Sequence, residues 1–408
     1  MTKTIFQTLL VFLAAMTHQA TAFTPTTQWA QTAVLIDDII YVYGGARSKI
    51  NGITNLYTLN ISQSWNTSAP AWADHSSDAG NFTVPKSAYH SMWPSDDEES
   101  FYVWGGGNSF SEKPKLSGFA QYNIANKTWS LPSGSAAVSV PLPRRETVAS
   151  WTASSVVYIW AGLGDGDTGY SINGTSGTKI FTEMISFDTV NLAWSVLSIP
   201  GPLPIPRILH TSTMLPNNQI VMIGGLYVTQ TNITSVNRVY ANLTEIPVFD
   251  TTDGTWILNN ASGNVPMNRR AHAAVLAISK RQREITSPRY QKSTSLKRLT
   301  DFTRTGEDEY SIIICCGGTK TNNVNLNDVA VLDTATWQWT QPSVNGTPPP
   351  ARYGSSSIMV NGQMIVMFGS GNSSALNDIA VLDTRITPYQ WATQFDSDDD
   401  EWIGGQGE

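Results

Sequence analysis

Nine residues beginning at Leu326, LNDVAVLDT, recur from Leu376 as LNDIAVLDT, with the single change of Val329 to Ile379. An apolar stretch containing glycine precedes each copy, and a tryptophan follows each copy. Such a repeat is either a local duplication or the clearest trace of a period that organises the whole chain. The choice between these two readings decides the fold.

The apolar stretch with its glycine occurs six times. The copies are IIYVYGG to Gly45, FYVWGGG around Gly106, VVYIWAG to Gly162, IVMIGG to Gly225, SIIICCGG to Gly318 and QMIVMFGSG to Gly371. A polar loop follows each copy, and then an alternating segment closes on Asp or Asn, at Asn60, Asn123, Asp188, Asp250, Asp333 and Asp383. Tryptophan comes next, at Trp65, Trp129, Trp194, Trp256, Trp339 and Trp391. The nine residues therefore belong to a period that runs through the chain.

Each unit reads as four short strands, because its apolar residues alternate and no segment has a helical period. One such unit cannot bury both of its faces, whereas six units arranged radially can. The predicted fold class is all-β, a six-bladed β-propeller with four antiparallel strands per blade. We expect residues 1–22 to precede a propeller over 23–395, with approximate blades at 28–80, 81–140, 141–202, 203–265, 266–346 and 347–395.

The pattern of a strand ending in Gly-Gly, a loop and a strand leading to tryptophan resembles the kelch repeat. The resemblance covers roughly residues 28–395 and is looser where Ala161 replaces the first glycine and Ser370 the second. It implies a kelch-type propeller of the secreted superfamily that includes galactose oxidase and attractin. Kelch-like proteins can bind acidic ligands through arginines at the mouth of the channel.

Composition and the N-terminus predict secretion. Lys3, an apolar run over 5–15 and the small residues Ala20 and Ala22 are typical of a signal peptide. A net charge of −7 argues against nucleic acid as a partner, and no later run is long enough for a membrane span. Sequons for N-glycosylation occur at Asn60, Asn66, Asn81, Asn126, Asn173, Asn232, Asn242, Asn260, Asn345 and Asn372. We expect a secreted, monomeric glycoprotein.

Two sets of polar residues recur early in the blades. One set, Arg145, Arg207, Arg269 and Arg352, either lines the mouth of the channel or satisfies carbonyls of the neighbouring blade. The other set is His90, His210 and His272. We interpret these histidines as structural, with a metal site as the alternative, since no close ligand spacing accompanies them. The sequence predicts no metal and no other cofactor.

The two cysteines, Cys315 and Cys316, are adjacent, and we expect two buried free thiols rather than a strained disulfide. The loop that contains Asp165 and Asp167 is interpreted as a flexible surface loop rather than a calcium site. A basic insertion over 280–308 interrupts blade five, and an acidic tail covers 396–408. The insertion should project from the propeller.

Seven of the sequons fall in loops that should share one face of a propeller: Asn81, Asn173, Asn232, Asn242, Asn260, Asn345 and Asn372. Glycans there would direct contacts to the channel mouth or to the opposite face. The preferred function is a non-catalytic scaffold that binds a protein or a glycan. The alternative is a carbohydrate-active kelch enzyme. A galactose-oxidase-like copper oxidase would need a cysteine linked to a tyrosine, and a sugar-acid epimerase would suit the arginines.

Overall fold

The computed structural model describes residues 23–47, 51–107, 118–132, 139–278, 310–319 and 324–397. The predicted signal peptide, the whole of the basic insertion over 280–308 and most of the acidic tail lie outside the described residues. Within them the structure is almost entirely β. None of the helices found there is long and apolar enough to cross a bilayer.

Six sheets of four or five strands dominate the described residues. Sheet one contains Thr32–Ile36, Ile39–Tyr43, Leu56–Asn60 and Trp72–Asp74. Sheet two contains Ser91–Pro94, Ser100–Trp104, Ala120–Asn123 and Thr128–Ser130. Sheet three contains Ala149–Trp151, Val156–Trp160, Met184–Asp188 and Ala193–Val196. Within each sheet these strands are antiparallel and follow chain order.

The other three large sheets follow the same plan. Sheet four contains Thr211–Met214, Gln219–Ile223, Glu245–Asp250 and Thr255–Asn260. Sheet five contains Ala273–Ile278, Tyr310–Cys315, Val329–Asp333 and Gln338–Thr340, and sheet six contains Ser356–Val360, Gln363–Ser370, Ala375–Asp383 and Tyr389–Ala392. Sheets five and six each gain a fifth, parallel strand at the outer edge, Ser262–Gly263 and Val344–Asn345 respectively. Both nine-residue repeats thus contain the third strand of a sheet.

Smaller elements fill the connections. The described residues form four small sheets besides the six large ones. Three of them pair Trp65–Asn66 with Gln394–Phe395, Leu163–Gly164 with Lys179–Ile180, and Ser171–Ile172 with Thr175–Ser176. The fourth pairs Arg207–Ile208 with the hairpin of Leu226–Asn232 and Ser235–Tyr240. In the described part of the chain, 3-10 helices cover Ser76–Ala79 and Gly166–Thr168. The prediction of a flexible surface loop around Asp165 was therefore too simple, since that segment forms paired strands and a capped helical turn.

Each large sheet packs on two others, so the apolar cores follow one another in a cycle. Sheets one and two share a core, and the same holds for each consecutive pair up to sheets five and six. A further core joins sheet six to sheet one. Because successive side chains of a strand point to opposite faces, Ile312 and Ile314 face sheet four while Ile313 faces sheet six. The alternation seen in the sequence thus divides each strand between two cores.

The tryptophans close these cores near the outer edges. Trp129, Trp194, Trp256, Trp339 and Trp391 each lie in the fourth strand of a sheet, directly opposite an apolar residue of the third. In sheet one the prediction of Trp65 was wrong, because Trp72 is the residue that lies opposite Leu59. Trp65 instead begins a two-residue strand that pairs with Gln394–Phe395. The first repeat therefore keeps the common geometry with a longer turn.

The cysteines form a disulfide, and the expectation of free thiols was wrong. In an extended strand two adjacent side chains point to opposite faces and their sulfur atoms cannot meet. Cys316 has a left-handed backbone, with φ of 70°, so the alternation ends at Cys315. Both side chains consequently lie in the same core between sheets five and six.

Candidate functional site at the centre of the sheets

A cycle of backbone hydrogen bonds lies just before the first strands. One residue of each repeat donates its N–H to the carbonyl of the equivalent residue of the preceding repeat, over 2.7 to 3.1 Å. All six residues have positive φ, between 47° and 65°. They are Ala30, Tyr89, Glu146, Leu209, Ala271 and Gly354. This cycle brings the segments that precede the six first strands together, and side chains from these segments form the candidate site.

Two positions before the cycle stand four buried arginines. Each guanidinium donates to a carbonyl at the end of the second strand of its own repeat and to a carboxylate at the start of the third. The four are Arg144, Arg207, Arg269 and Arg352, at no more than 1% exposure. Their carboxylate partners are Glu183, Glu245, Asp328 and Asp378. Each arginine thus connects the second and third strands of its own repeat and is enclosed by protein.

The sequence contained a signal for these acidic partners. Asp328 and Asp378 belong to the LND of the nine-residue repeats, and Glu183 and Glu245 stand at the same distance before the closing Asp. The two repeats without the acid have Gln28 and Ser87 in place of the arginine. The arginine and the acid therefore vary together among the repeats of one chain. The carbonyls belong to the arginine's own repeat rather than to the neighbouring blade.

Arg145 is out of register with the other three predicted arginines, since Arg144 takes their place. The Arg145 guanidinium lies near the centre, where its Nη2 donates to Asp165 Oδ2 at 2.6 Å and its Nη1 donates to Glu146. Asp167 Oδ2 stands 3.7 Å from Nη2. Three carboxylates thus surround this cation and neutralise it.

Arg270, which the sequence analysis did not single out, is the corresponding residue two repeats further on. Its Nε donates to the Tyr240 hydroxyl at 3.2 Å, and its guanidinium carbon lies 5.5 Å from the centre of the Tyr353 ring. Among the described residues no carboxylate forms an ion pair with it. Arg270 is half-buried and charged, and its guanidinium contacts the Tyr240 hydroxyl and the Tyr353 ring.

Aromatic rings complete the centre. The ring of Trp29 lies 5.6 Å from that of Tyr89 and 5.5 Å from that of Tyr353, each edge to face. Tyr89 also packs with the cluster that contains Leu209. Burial, reinforced by the charge of Glu146, raises the pKa of Tyr89 well above its ordinary value, so its hydroxyl stays protonated. We call Trp29, Tyr89, Arg145, Glu146, Arg270 and Tyr353 the central cluster.

The histidines lie one position after the cycle, each at a junction between sheets. His90 Nε2 bonds Thr32 of the preceding repeat, and His272 Nε2 bonds Thr211 at 3.0 Å. Burial lowers the pKa of His90, His210 and His272 to about 3. The residue equivalent to these threonines in the repeat before His210 is Val148, which has no hydroxyl group. Neither nitrogen of His210 has a hydrogen-bond partner among the described residues.

The described residues contain no group of three or more His, Cys, Asp or Glu side chains arranged to hold a metal ion. Asp165 and Asp167 instead approach Arg145, and Asp165 caps the helical turn Gly166–Thr168. Because the disulfide uses both cysteines of the chain, neither is available for the tyrosine link that a galactose-oxidase-like centre requires.

The sequon asparagines are all on the surface. Each of the ten, from Asn60 to Asn372, is exposed. Five of them, Asn81, Asn173, Asn232, Asn242 and Asn372, lie in connections between second and third strands or between sheets. Asn60 ends a third strand, and Asn126 lies in the turn between a third and a fourth strand. Three belong to outer strands: Asn66 to Trp65–Asn66, Asn260 to Thr255–Asn260 and Asn345 to Val344–Asn345.

Repeated sheets that pack in a cycle, with their connecting segments meeting at the centre, define a β-propeller. The chain belongs to the kelch-repeat family, because the model of the KLHDC2/KLHL20/DRC7 Kelch-repeats domain matches residues 30–282 and 280–395. The solved structure of YjhT superimposes with a TM-score of 0.59 over 90% of this chain and 98% of that chain, at 14% identity. That likeness shows the fold.

Three curated proteins each match a part of this chain. The Rho GTPase-activating protein gacHH of Dictyostelium discoideum is 37% identical over 72 residues, 17% of this chain and 5% of that protein. Host cell factor of Drosophila melanogaster is 30% identical over 106 residues, 25% and 7% respectively. Acyl-CoA-binding domain-containing protein 4 of Arabidopsis thaliana is 22% identical over 196 residues, 48% and 23%. The matched part is less than a quarter of each relative, so their activities do not transfer with the match.

Proposed function

We propose that this kelch-repeat chain is a secreted, N-glycosylated propeller of six four-stranded blades. In this proposal it is a non-catalytic module that binds an anionic group of a protein or a glycan at the central cluster. The six blades correspond to the six large sheets. The cycle of apolar cores and the cycle of backbone hydrogen bonds both favour radial closure, since each joins the last repeat to the first.

Secretion and glycosylation rest on the sequence of residues 1–22 and on the sequons. Glycosylation requires an accessible asparagine, and the exposure of all ten sequon asparagines is consistent with it. A disulfide between Cys315 and Cys316 suits an oxidising compartment. Recovery of the mature protein from the culture medium of eukaryotic cells, with its N-terminus sequenced, tests this part. An N-terminus at Met1 or retention inside the cell would contradict it.

The binding role rests on one observation, the contrast between Arg145 and Arg270. Arg145 is neutralised by three carboxylates, whereas Arg270 has none among the described residues. An arginine within an aromatic cluster attracts carboxylate, sulfate or phosphate groups, because charge-assisted hydrogen bonds strengthen where water is partly excluded. Its guanidinium stays protonated at neutral pH, which suits recognition of charge rather than proton transfer.

A glycan array and a pulldown with the secreted protein test the binding role. We expect Arg270→Gln to lower the affinity for bound anionic ligands at least tenfold. Arg238→Gln is the matched control, because it removes the same positive charge from an exposed residue on the hairpin strand Ser235–Tyr240. Equal loss of binding in both variants would indicate a general effect of net charge. Unchanged binding by Arg270→Gln would contradict a role for the central cluster.

A further inference from the structure

The outer strand of sheet four, Thr255–Asn260, presents an unusual edge. Its sequence TWILNN has no charged residue, and it is longer than the fourth strand of any other large sheet. Ile257 is 41% exposed and Leu258 is 56% exposed. On its inner side the strand pairs with Glu245–Asp250, and no described residue pairs with its outer side. Long, uncharged, apolar edges of this kind invite pairing with another chain.

The two following sheets show what the edge lacks. Their outer strands are covered by Ser262–Gly263 and Val344–Asn345, each of which comes from the segment that leaves the preceding sheet. The corresponding segment before sheet four is SIPGPLPIP, residues 198–206, with proline at every second position from Pro200 to Pro206. Proline has no N–H to donate to a strand. No residue of this segment pairs with Thr255–Asn260, and its prolines limit the hydrogen bonds that it can donate.

The occupant that this edge fits best is the same edge of a second copy. In a symmetric antiparallel pair centred on Leu258, Leu258 of one copy lies opposite Leu258 of the other, and Ile257 lies opposite Asn259. Such a contact is isologous, sets apolar side chains against each other and opposes no like charges. The strand is thus self-complementary in sequence as well as open at its edge.

One feature at the end of this strand opposes such pairing. Asn260 is the last residue of the strand, is exposed, and forms a sequon with Ser262. We propose that an N-linked glycan on Asn260 keeps the Thr255–Asn260 edge from pairing between copies and so keeps the protein monomeric. This inference rests on the glycosylation in the proposed function. A glycan is bulky and hydrated, and it would occupy the space that an incoming strand needs.

The experiment compares variants secreted from eukaryotic cells by size-exclusion chromatography with light scattering over a hundredfold range of concentration. Ser262→Ala removes the sequon while leaving Thr255–Asn260 unchanged. Ser374→Ala is the matched control, because it removes the Asn372 sequon in a tight loop between two strands of sheet six. Enzymatic removal of glycans from the native wild-type protein provides a second route that does not depend on the folding of a variant.

We expect Ser262→Ala and the deglycosylated protein to dimerise with rising concentration, and Ser374→Ala to stay monomeric. Adding Ile257→Lys to Ser262→Ala should restore the monomer, because a charge on the edge opposes pairing. A monomeric Ser262→Ala, or an Asn260 without glycan beside other occupied sites, would overturn this inference and leave the proposed function standing. The absence of glycans from every site would contradict the glycosylation itself.

Discussion

The backbone N–H of Ala30 donates to the carbonyl oxygen of Gly354 over 2.7 Å, and this bond joins the first repeat to the last. A second contact beside it has the same effect, since the Gln31 side-chain Nε2 donates to Ser356 Oγ at 2.8 Å. Both contacts repeat between other neighbouring repeats, where His90 with Thr32 and His272 with Thr211 take the place of the second. The junction of the chain ends is therefore built like the internal junctions.

Substitution of Arg269 should lower stability, whereas substitution of its neighbour Arg270 should lower binding with little effect on stability. Arg269 is fully buried and donates to Asp328 and to the Cys316 carbonyl, whereas Arg270 is half-buried and has no carboxylate partner among the described residues. We expect Arg269→Gln to lower the free energy of unfolding by roughly 3 kcal/mol, because it leaves a carboxylate and a carbonyl unpaired. Arg270→Gln should change it by less than about 1 kcal/mol. Urea denaturation monitored by tryptophan fluorescence measures both; equal losses would contradict the assignment.

Gly105, directly after the second strand of sheet two, should not tolerate a side chain. Gly105 has φ of +73°, and a Cβ there would lie 2.5 Å from the carbonyl oxygen of Arg144. We expect Gly105→Ala to cost about 3 kcal/mol or more, from the left-handed backbone and the clash together. Gly254→Ala is the control, since Gly254 has φ of +66° with nothing within 4 Å of the added Cβ. Its cost should be about 1 kcal/mol. Thermal unfolding that ranks the two variants equally would refute the close approach.

Val148→Thr should stabilise the protein. It would give His210 the threonine partner that His90 and His272 already have, at a junction where His210 is 2% exposed and without a partner among the described residues. One new buried hydrogen bond corresponds to about 1 kcal/mol. In a His210→Phe background the same substitution should bring no gain, so a double-mutant cycle isolates the pair. A gain that persists without the histidine would contradict this explanation.

Acid should destabilise the fold through the same histidines. Each has a pKa of about 3 when folded, against 6.5 in the unfolded chain. Between these values the unfolded chain binds protons that the folded protein excludes, so stability falls as pH drops below about 6.5. Each histidine contributes up to about 1.4 kcal/mol per pH unit. His272→Gln should make the loss of stability between pH 6.5 and 5 shallower by about that amount, measured by urea denaturation. An unchanged slope would contradict the buried, neutral state.

Much of the fold could be predicted because its causes are local. The period of strand, glycine, alternating segment and tryptophan predicted where the third strands lie, including both nine-residue repeats. The exact alignment of the repeats with one another was harder to predict from the sequence. In repeats five and six the left-handed place of the first glycine is taken by Cys316 and Phe368, so the pairs read from the sequence were one residue out. Hydrogen bonds from Gly317 to Arg352 and from Gly369 to Gln28 reveal the true alignment.

The candidate site was only partly predictable. Recurrence drew attention to Arg207, Arg269 and Arg352, whose repetition reflects an architectural role beside buried carboxylates. Arg145 was predicted as the equivalent of these three arginines, but the adjacent Arg144 occupies that position. Two consecutive arginines in the sequence allow either of them to be aligned with the set. Arg270 was missed because what distinguishes it is the lack of a carboxylate partner among the described residues, and a single sequence does not show which charges pair after folding.

The sequence by itself determined that the chain is all-β and built from kelch repeats, since strand alternation, turn glycines and core tryptophans act over a few residues each. Only the tertiary structure decided which arginines are enclosed and that Arg270 has no carboxylate partner among the described residues. It also decided that Cys315 and Cys316 form a disulfide, and that no described residue pairs with the outer edge of Thr255–Asn260. The physical reason is that burial, charge pairing and edge pairing depend on residues far apart in the chain, which approach one another only when the repeats pack together.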